Sequence, residues 1–195
     1  LLPKYRGPSP IQAAILAGDE VTGVSIIKMD GQMDHGAVIY KEEYKLSGQD
    51  NFDNLSKELF QIGNEALVRL IPEFIEAKTN LQAQNEDQAT FCKIISKESG
   101  YFPIDTPPSP EELDRMIRAY YPWPGVWTRW NNKIVKFLPN VILGNRVTPE
   151  SSFDSGQARM TNEEFLVQME GKKATPYKNF LNGYPDFPLR VWFSS

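Results

Sequence analysis

Residues 1–40 read LLPKYRGPSPIQAAILAGDEVTGVSIIKMDGQMDHGAVIY, and the order of signals along this stretch decides the fold class. The opening LLPKYRGPSP is loop material, punctuated by Pro3, Gly7, Pro8 and Pro10 and holding one Tyr and one Arg. Ser9-Pro10 precedes Ile11, Ala14, Ile15 and Leu16, so Pro10 falls where a first helical position tolerates a missing N–H, and Gly18 supplies the stop. After the turn at Gly18-Asp19-Glu20, Thr22 to Met29 is rich in β-branched residues and predicts a strand with a buried side. Asp30 to Gly36 predicts a loop, and Ala37 to Tyr40 a second strand running into the charged Lys41-Glu42-Glu43. In an open α/β sheet, ligands bind outside the carboxyl ends of strands, so the opening loop and the Asp30–Gly36 loop are placed to flank one crevice.

Outward from this stretch, the clearest element is a long helix. Phe52, Leu55, Leu59, Ile62, Ala66, Leu70 and Phe74 recur at spacings of three and four, with Lys57, Glu58, Glu65 and Arg69 off the stripe. Asp50 is the expected cap, and Pro72 is expected to kink or stop the last turn because it has no N–H to donate. Asn80 to Asp87 is amide-rich and polar, suited to an exposed linker and poor for a core. The expected organisation is therefore a first domain over 1–79, a linker over 80–94 and a second domain over 95–195.

In that second domain, Ser109 with Glu112 forms a capping box with Pro110 at the first helical position. Leu113, Met116, Ile117 and Tyr120 give the following helix its buried face, and Pro122 ends it. Val126-Trp127, Ile134–Phe137, Val141–Leu143 and Phe165–Met169 are short β-like runs separated by turn signals, as in a small barrel or sandwich, although Thr161–Glu164 could open a helical turn instead. Thr175-Pro176 is expected to start a last short helix that Gly183 closes.

Composition narrows the function classes. With 195 residues, 41% of them hydrophobic and 24% charged, the chain has enough material for one sizeable core or two small ones and is not disordered by composition. No run approaches the roughly 18 apolar residues of a membrane helix and no export signal is legible, so the expectation is a soluble cytoplasmic protein with no membrane partner. One Cys and one His exclude an intrachain disulfide framework and cannot by themselves assemble a zinc site, so no metal is expected. Cys92 reads as a small, partly buried hydrophobe beside Phe91 and Ile94. A net charge of −4 argues against bulk attraction to nucleic acid but leaves room for a local basic face.

Two clusters carry candidate chemistry. The Asp30–Gly36 loop holds Asp30, Asp34 and the single histidine, His35, which suits an acid–base locus; Asp and Gly are equally ordinary turn formers. Further on, RAYYPWPGVWTRWNNKIVKF interleaves Tyr120, Tyr121, Trp123, Trp127 and Trp130 with Arg118, Arg129, Lys133 and Lys136, and Lys172-Lys173 follows. Cations among aromatics suit a nucleic-acid surface, against the plainer reading of core aromatics beneath a solvated charged face; Tyr120 and Trp123 are expected in the core.

The opening stretch resembles the folate-dependent formyltransferase family, whose members carry N-x-H-x-S-L-L-P-x-x-R-G followed by T-G-V and a D-x-x-x-D-x-G loop. RAYYPWPGVWTRW and QMEGKKATPYKNFLNGYPDF are similar to the C-terminal domain of those members that act on methionyl-tRNA. The resemblance implies the C-terminal part of a doubly wound, Rossmann-like α/β catalytic domain followed by a small OB-like barrel, with Leu138 to Asn162 shorter than that barrel usually has. It implies 10-formyltetrahydrofolate as cosubstrate, lined by Leu1, Leu2 and Pro3 and by Met29, Asp30, Gly31, Gln32 and Met33. It places Asp34 on the catalytic Asp, with His35 where Thr is usual, and Arg118, Lys133, Lys136, Lys172 and Lys173 on a tRNA-binding face. The partner implied is initiator methionyl-tRNA, and a monomer is expected.

The family's catalytic Asn and His fall before Leu1 in its motif, so these residues hold only the carboxylate of the three catalytic groups, and this chain alone is expected to be nearly inactive. His35, adjacent to Asp34 on one loop, is not expected to replace that His. The alternatives are an amino-sugar-nucleotide formyltransferase and a non-catalytic tRNA-binding remnant.

Overall fold

The computed structural model describes residues 1–140 and 165–189, which fall into two compact units, Leu1–Ile95 and Ser96–Ser195. The expected strand at Val141–Leu143, the turn at Thr161–Glu164 and all but the first three residues of the Leu138–Asn162 stretch lie within 141–164, outside the described residues.

In the first unit, α1 (Pro10–Ala17) carries Pro at its start and Gly18 in the left-handed conformation at its end. β1 (Val21–Ile27) pairs antiparallel with β2 (Val38–Lys45) as a two-stranded sheet, rather than with parallel neighbours of a doubly wound sheet. β1 stops two residues short of Met29, where the register breaks between Ile26 and Ile27 and the chain turns into the Asp30–Gly36 loop. β2 runs through Lys41-Glu42-Glu43, because on a strand exposed on one side Tyr40 and Tyr44 alternate with the charges.

The long helix α2 (Phe52–Ile75) buries Leu55, Leu59, Ala66 and Leu70. Its cap is Asn51, not Asp50: Asn51 and Asn54 bond each other's backbone N–H in a capping box, while Asp50 accepts from the Ser47 amide and hydroxyl. Pro72 sits in the last turn and the helix carries on to Ile75, since a proline this near the end costs only one interior bond. Phe74, Val68, Ile71 and Ile75 are exposed, so α2 has a second apolar edge that nothing in this unit covers.

Residues 80–94 are mostly exposed, as their composition suggests, yet they are stitched to the first unit through the backbone. Gln82 exchanges two hydrogen bonds with Val38, Arg6 donates to the Thr90 carbonyl, and Cys92 donates back to the Arg6 carbonyl. A linker reading from polarity misses this, because backbone pairing leaves no trace in side-chain hydropathy.

In the second unit, α3 (Pro110–Tyr120) has the expected capping box of Ser109 with Glu112 and buries Leu113, Ile117, Ala119 and Tyr120. β3 (Val126–Trp130), β4 (Lys133–Pro139), β5 (Phe165–Met169) and β6 (Thr175–Pro176) form one antiparallel sheet in sequence order, and α4 (Tyr177–Gly183) follows. Asn131 and Asn132, both at positive φ, make the tight turn between β3 and β4, which suits the twist of a two-residue hairpin. Among the described residues this sheet is open, with β3 and β6 at its edges, and is not a closed barrel. Trp123, expected in the core, is 57% exposed: it lies between Pro122 and Pro124, past the end of α3 and outside its apolar face.

Candidate functional site

The chemistry-bearing residues of the first unit converge where the opening loop meets the Asp30–Gly36 loop. Leu1, Leu2 and Pro3 lie along β1: the Leu2 amide donates to Ser25 Oγ at 3.1 Å, and Leu1 packs where Gly23 has no side chain. Tyr5 anchors the loop by donating its hydroxyl to Asp19 at 3.0 Å; burial first, and then this carboxylate partner, pushes its phenol up to about 12. Gly7 follows at φ 122, with the Cys92 carbonyl 2.8 Å from where a Cβ would sit, so only glycine passes here.

Asp34 Oδ2 accepts the Gly7 N–H at 2.7 Å, which brings the expected catalytic carboxylate onto the loop that carries the opening tripeptide. Asp34 itself sits at φ 52, in the left-handed region. Gly36, two residues on, lies against the Lys28 carbonyl, and a Cβ there would come within 1.9 Å of that oxygen.

His35 does not join Asp34's carboxylate. Its Nδ1 lies 2.6 Å from Asp30 Oδ2 and its Nε2 lies 3.5 Å from Glu86 Oε1, so the ring bridges two other carboxylates. Asp30 also accepts from the Gln32 amide, and the His35 hydrogen bond, more than that one, holds the Asp30 carboxyl below its usual range. Met29 and Met33 present their side chains to solvent at 85% and 68% exposure, with Gly31 and Gln32 exposed between them.

Three residues outside the expected set complete the site. Arg6 is 3% exposed and makes a two-pronged pair with Glu86, Nη1 to Oε2 at 2.8 Å and Nη2 to Oε1 at 2.7 Å. It also donates from Nε and Nη2 to Gln84 Oε1 at 3.2 and 2.9 Å. The Gln84 amide nitrogen donates in turn to the carbonyls of Asp34 and Gly36, each at 2.8 Å. The signal available in the sequence was Arg6 itself, because a buried guanidinium requires a carboxylate partner. That partner lies 80 residues away in a segment whose polarity marked it as a linker.

Cys92 lies at this junction, receiving the Ser9 N–H at 3.3 Å and facing the Tyr5 carbonyl at 3.3 Å. Its neighbours Phe91 and Ile94 point to solvent instead of packing with it. Among the described residues no group of three or more His, Cys, Asp and Glu side chains is placed to hold a metal ion.

The Arg6–Glu86 pair gives a pH test. The guanidinium hydrogen bond holds the Glu86 carboxyl below its ordinary value, so the pair's contribution is fully present above the unfolded carboxylate pKa of about 4.3 and is lost as pH falls through the lowered value. Glu86→Gln is therefore expected to lower Tm at pH 7 by a difference that shrinks as pH falls below about 4. A Tm difference that stays constant from pH 7 to 3 would show that charge pairing is not the cause.

In the second unit the candidate cations separate. Arg118 is held by Asp114 on its own helix, Nε and Nη2 at 2.8 and 2.7 Å from Oδ2, with only 16% of its side chain exposed. Lys133, Lys136, Lys172 and Lys173 are all exposed. Lys136 is opposite Gln168 across β4 and β5, and Gln168 donates to the Lys172 carbonyl at 3.0 Å, so Lys136 and Lys172 share one region of the sheet, while Lys133 alternates to the other face of β4. Lys136, Gln168, Glu170 and Gly171 line a shallow hollow there. Of the aromatics, Trp130 meets Phe187 and Tyr184 edge to face at 5.3 and 5.7 Å, and Trp127 packs on Tyr101 at 4.7 Å. Both serve packing within the unit.

Residues 1–71 match the family described as Formyl transferase, and residues 95–185 match Formyl transferase, C-terminal domain. Among curated proteins, the methionyl-tRNA formyltransferase of Roseiflexus sp. (strain RS-1) is 34% identical over 192 residues, covering 94% of this chain and 58% of that protein. The methionyl-tRNA formyltransferase of Halothermothrix orenii is 38% identical over 199 residues, covering 94% and 62%. The chain thus spans about three fifths of the length of these relatives. Among solved structures, methionyl-tRNA formyltransferase from Clostridium thermocellum superposes with a TM-score of 0.56 at 22% identity, over 90% of this chain and 65% of that one.

Proposed function

The chain belongs to the formyl transferase family, and from that premise we propose that it serves formyl transfer from 10-formyltetrahydrofolate to the amine of initiator methionyl-tRNA in the cytoplasm. In that reaction the amine nitrogen attacks the formyl carbon, a C–N bond forms, and a tetrahedral oxyanion develops. The bond from that carbon to the folate nitrogen then breaks, and the proton lost by the attacking nitrogen ends on the departing folate nitrogen. Asp34 is assigned the movement of that proton. The observation that carries the reading is the Asp34 carboxylate fixed at 2.7 Å on the Gly7 amide of the LLPKYRG loop. Leu1, Leu2, Pro3 and the segment Met29, Asp30, Gly31, Gln32, Met33 are assigned to the folate, with the exposed Met29 and Met33 offering apolar contact to a pterin-like ring.

The tRNA reading is favoured over an amino-sugar nucleotide because the relatives at 34% and 38% identity are methionyl-tRNA formyltransferases. We assign domain limits of 1–79 and 95–195 around an 80–94 connector, a monomer, and an OB-like second domain. Lys133, Lys136, Lys172 and Lys173 are assigned to phosphate contacts. Arg118 belongs to the same assignment only if it gives up Asp114, because a guanidinium already paired has little charge left to offer.

Filter retention of initiator methionyl-tRNA at several salt concentrations tests the proposal. Lys172→Ala with Lys173→Ala is expected to flatten the slope of log affinity against log salt by roughly 1 to 2. An unchanged slope removes these two from the interface, and no retention of methionyl-tRNA at low salt refutes the tRNA reading.

A further inference from the structure

Asp34 is gripped at both ends by one closed circuit of hydrogen bonds. Its carboxylate receives the Gly7 amide at 2.7 Å, and its carbonyl receives Gln84 Nε2 at 2.8 Å. Gln84 Oε1 is held by the Arg6 guanidinium, and Arg6 is the residue before Gly7. The circuit is braced from outside. Glu86 fixes the far side of the guanidinium and lies 3.5 Å from His35 Nε2, while the backbone of Arg6 is tied to Thr90 and Cys92.

Resting on the assignment of Asp34 as the proton-moving group, we propose that Arg6 and Gln84 are positioning residues for it. In this account the segment after the first domain's long helix completes the acid–base loop instead of merely connecting two domains. The geometry makes the demand plain. Asp34 lies in the left-handed region, which Asp tolerates better than most residues but in which surrounding hydrogen bonds help to hold it. Gln84 provides that hold because one amide reaches the carbonyls on both sides of His35, those of Asp34 and Gly36. An acid in this position could not do so, since a carboxylate has no N–H to donate. Arg6, almost wholly buried, orients the amide by occupying its oxygen, which leaves the nitrogen to face the loop.

Gln84→Glu separates this role from folding. It keeps an oxygen for Arg6 and strengthens that attraction, while losing both donations to the loop. The measurement is amide hydrogen exchange of the 195-residue chain by NMR, together with the carbon resonance of the Asp34 carboxyl. Gly7 exchange is expected to rise about tenfold or more and the Asp34 carboxyl signal to move, while the β1–β2 ladder amides of Val24 and Ile26 keep their protection. Gln84→Leu, which loses both halves of the amide, is expected to do the same with a broader loss of protection around Arg6. Unchanged Gly7 exchange and an unmoved Asp34 signal in Gln84→Glu overturn the proposal. These readouts need no transfer reaction, so if Asp34→Asn leaves the residual transfer rate unchanged while Gln84→Glu shows both changes, the assignment of Asp34 to the proton fails and the clamp stands.

Discussion

Formyl transfer to methionyl-tRNA by these 195 residues is expected to run at least about 100-fold below that of the Roseiflexus methionyl-tRNA formyltransferase assayed beside it, and Asp34→Asn is expected to remove what remains. The resemblance implies an amide, an imidazole and a carboxylate at one formyl carbon, and of that set residues 1–195 carry the carboxylate, at Asp34. Loss of a single oxyanion donor costs on the order of 10² to 10³ in rate. The one imidazole present cannot make up the difference where it stands: His35 is tied to Asp30 at 2.6 Å and approaches Glu86, so neither ring nitrogen faces the carboxylate of Asp34. Releasing it would also uncover the Asp30 carboxylate, which depends first on that hydrogen bond for its lowered pKa. Initial-rate measurement with 10-formyltetrahydrofolate decides the matter. Transfer comparable to the Roseiflexus enzyme would mean that other groups here stabilise the oxyanion, and persistence of the rate in Asp34→Asn would remove Asp34 from the chemistry.

What the sequence disclosed and what it concealed divide along a physical line. Side-chain periodicity is a local record of burial, so the α2 stripe at Leu55, Leu59, Ala66 and Leu70 and the Ser109–Glu112 box were legible directly. Partnership across long separations leaves no such record. Nothing local marks Gln84 as the residue that reaches Asp34 and Gly36, and the amide-rich run that contains it is what an exposed linker looks like. Asn51 replacing Asp50 at the helix cap has a local cause: both are good caps, and Ser47, three residues earlier, engages the Asp50 carboxylate. Arg118 is a local case instead: its charge is legible, and so is the i,i+4 spacing that pairs it with Asp114 on one helix face. The motif itself, LLPKYRG with the D-x-x-x-D-x-G loop, was informative because it records chemistry instead of burial. The structure brings its two halves into contact through Gly7 and Asp34.

Phe137→Ala should melt the second unit's core, and it separates what β4 does for stability from what its lysines do for binding. Phe137 is 1% exposed, lies opposite Val126 and Val167 in the sheet, and meets the rings of Phe102 and Phe165 at 5.4 and 6.0 Å. Truncating a buried Phe in such a cluster costs about 3 to 5 kcal/mol, from lost transfer energy and the cavity left behind. In a unit of this size that lowers Tm by on the order of 10 °C or more. Lys136, the preceding residue, projects to the opposite side of the same strand and is exposed, so Lys136→Ala should leave Tm nearly unchanged. Calorimetry of the two variants beside the salt-dependent retention assay then yields opposite patterns. Phe137→Ala loses the transition and tRNA retention together above its lowered Tm, whereas Lys136→Ala keeps the transition and flattens the salt slope. If Lys136→Ala instead lowers Tm as much as Phe137→Ala does, its side chain is packing and the basic face must be redrawn around Lys133, Lys172 and Lys173.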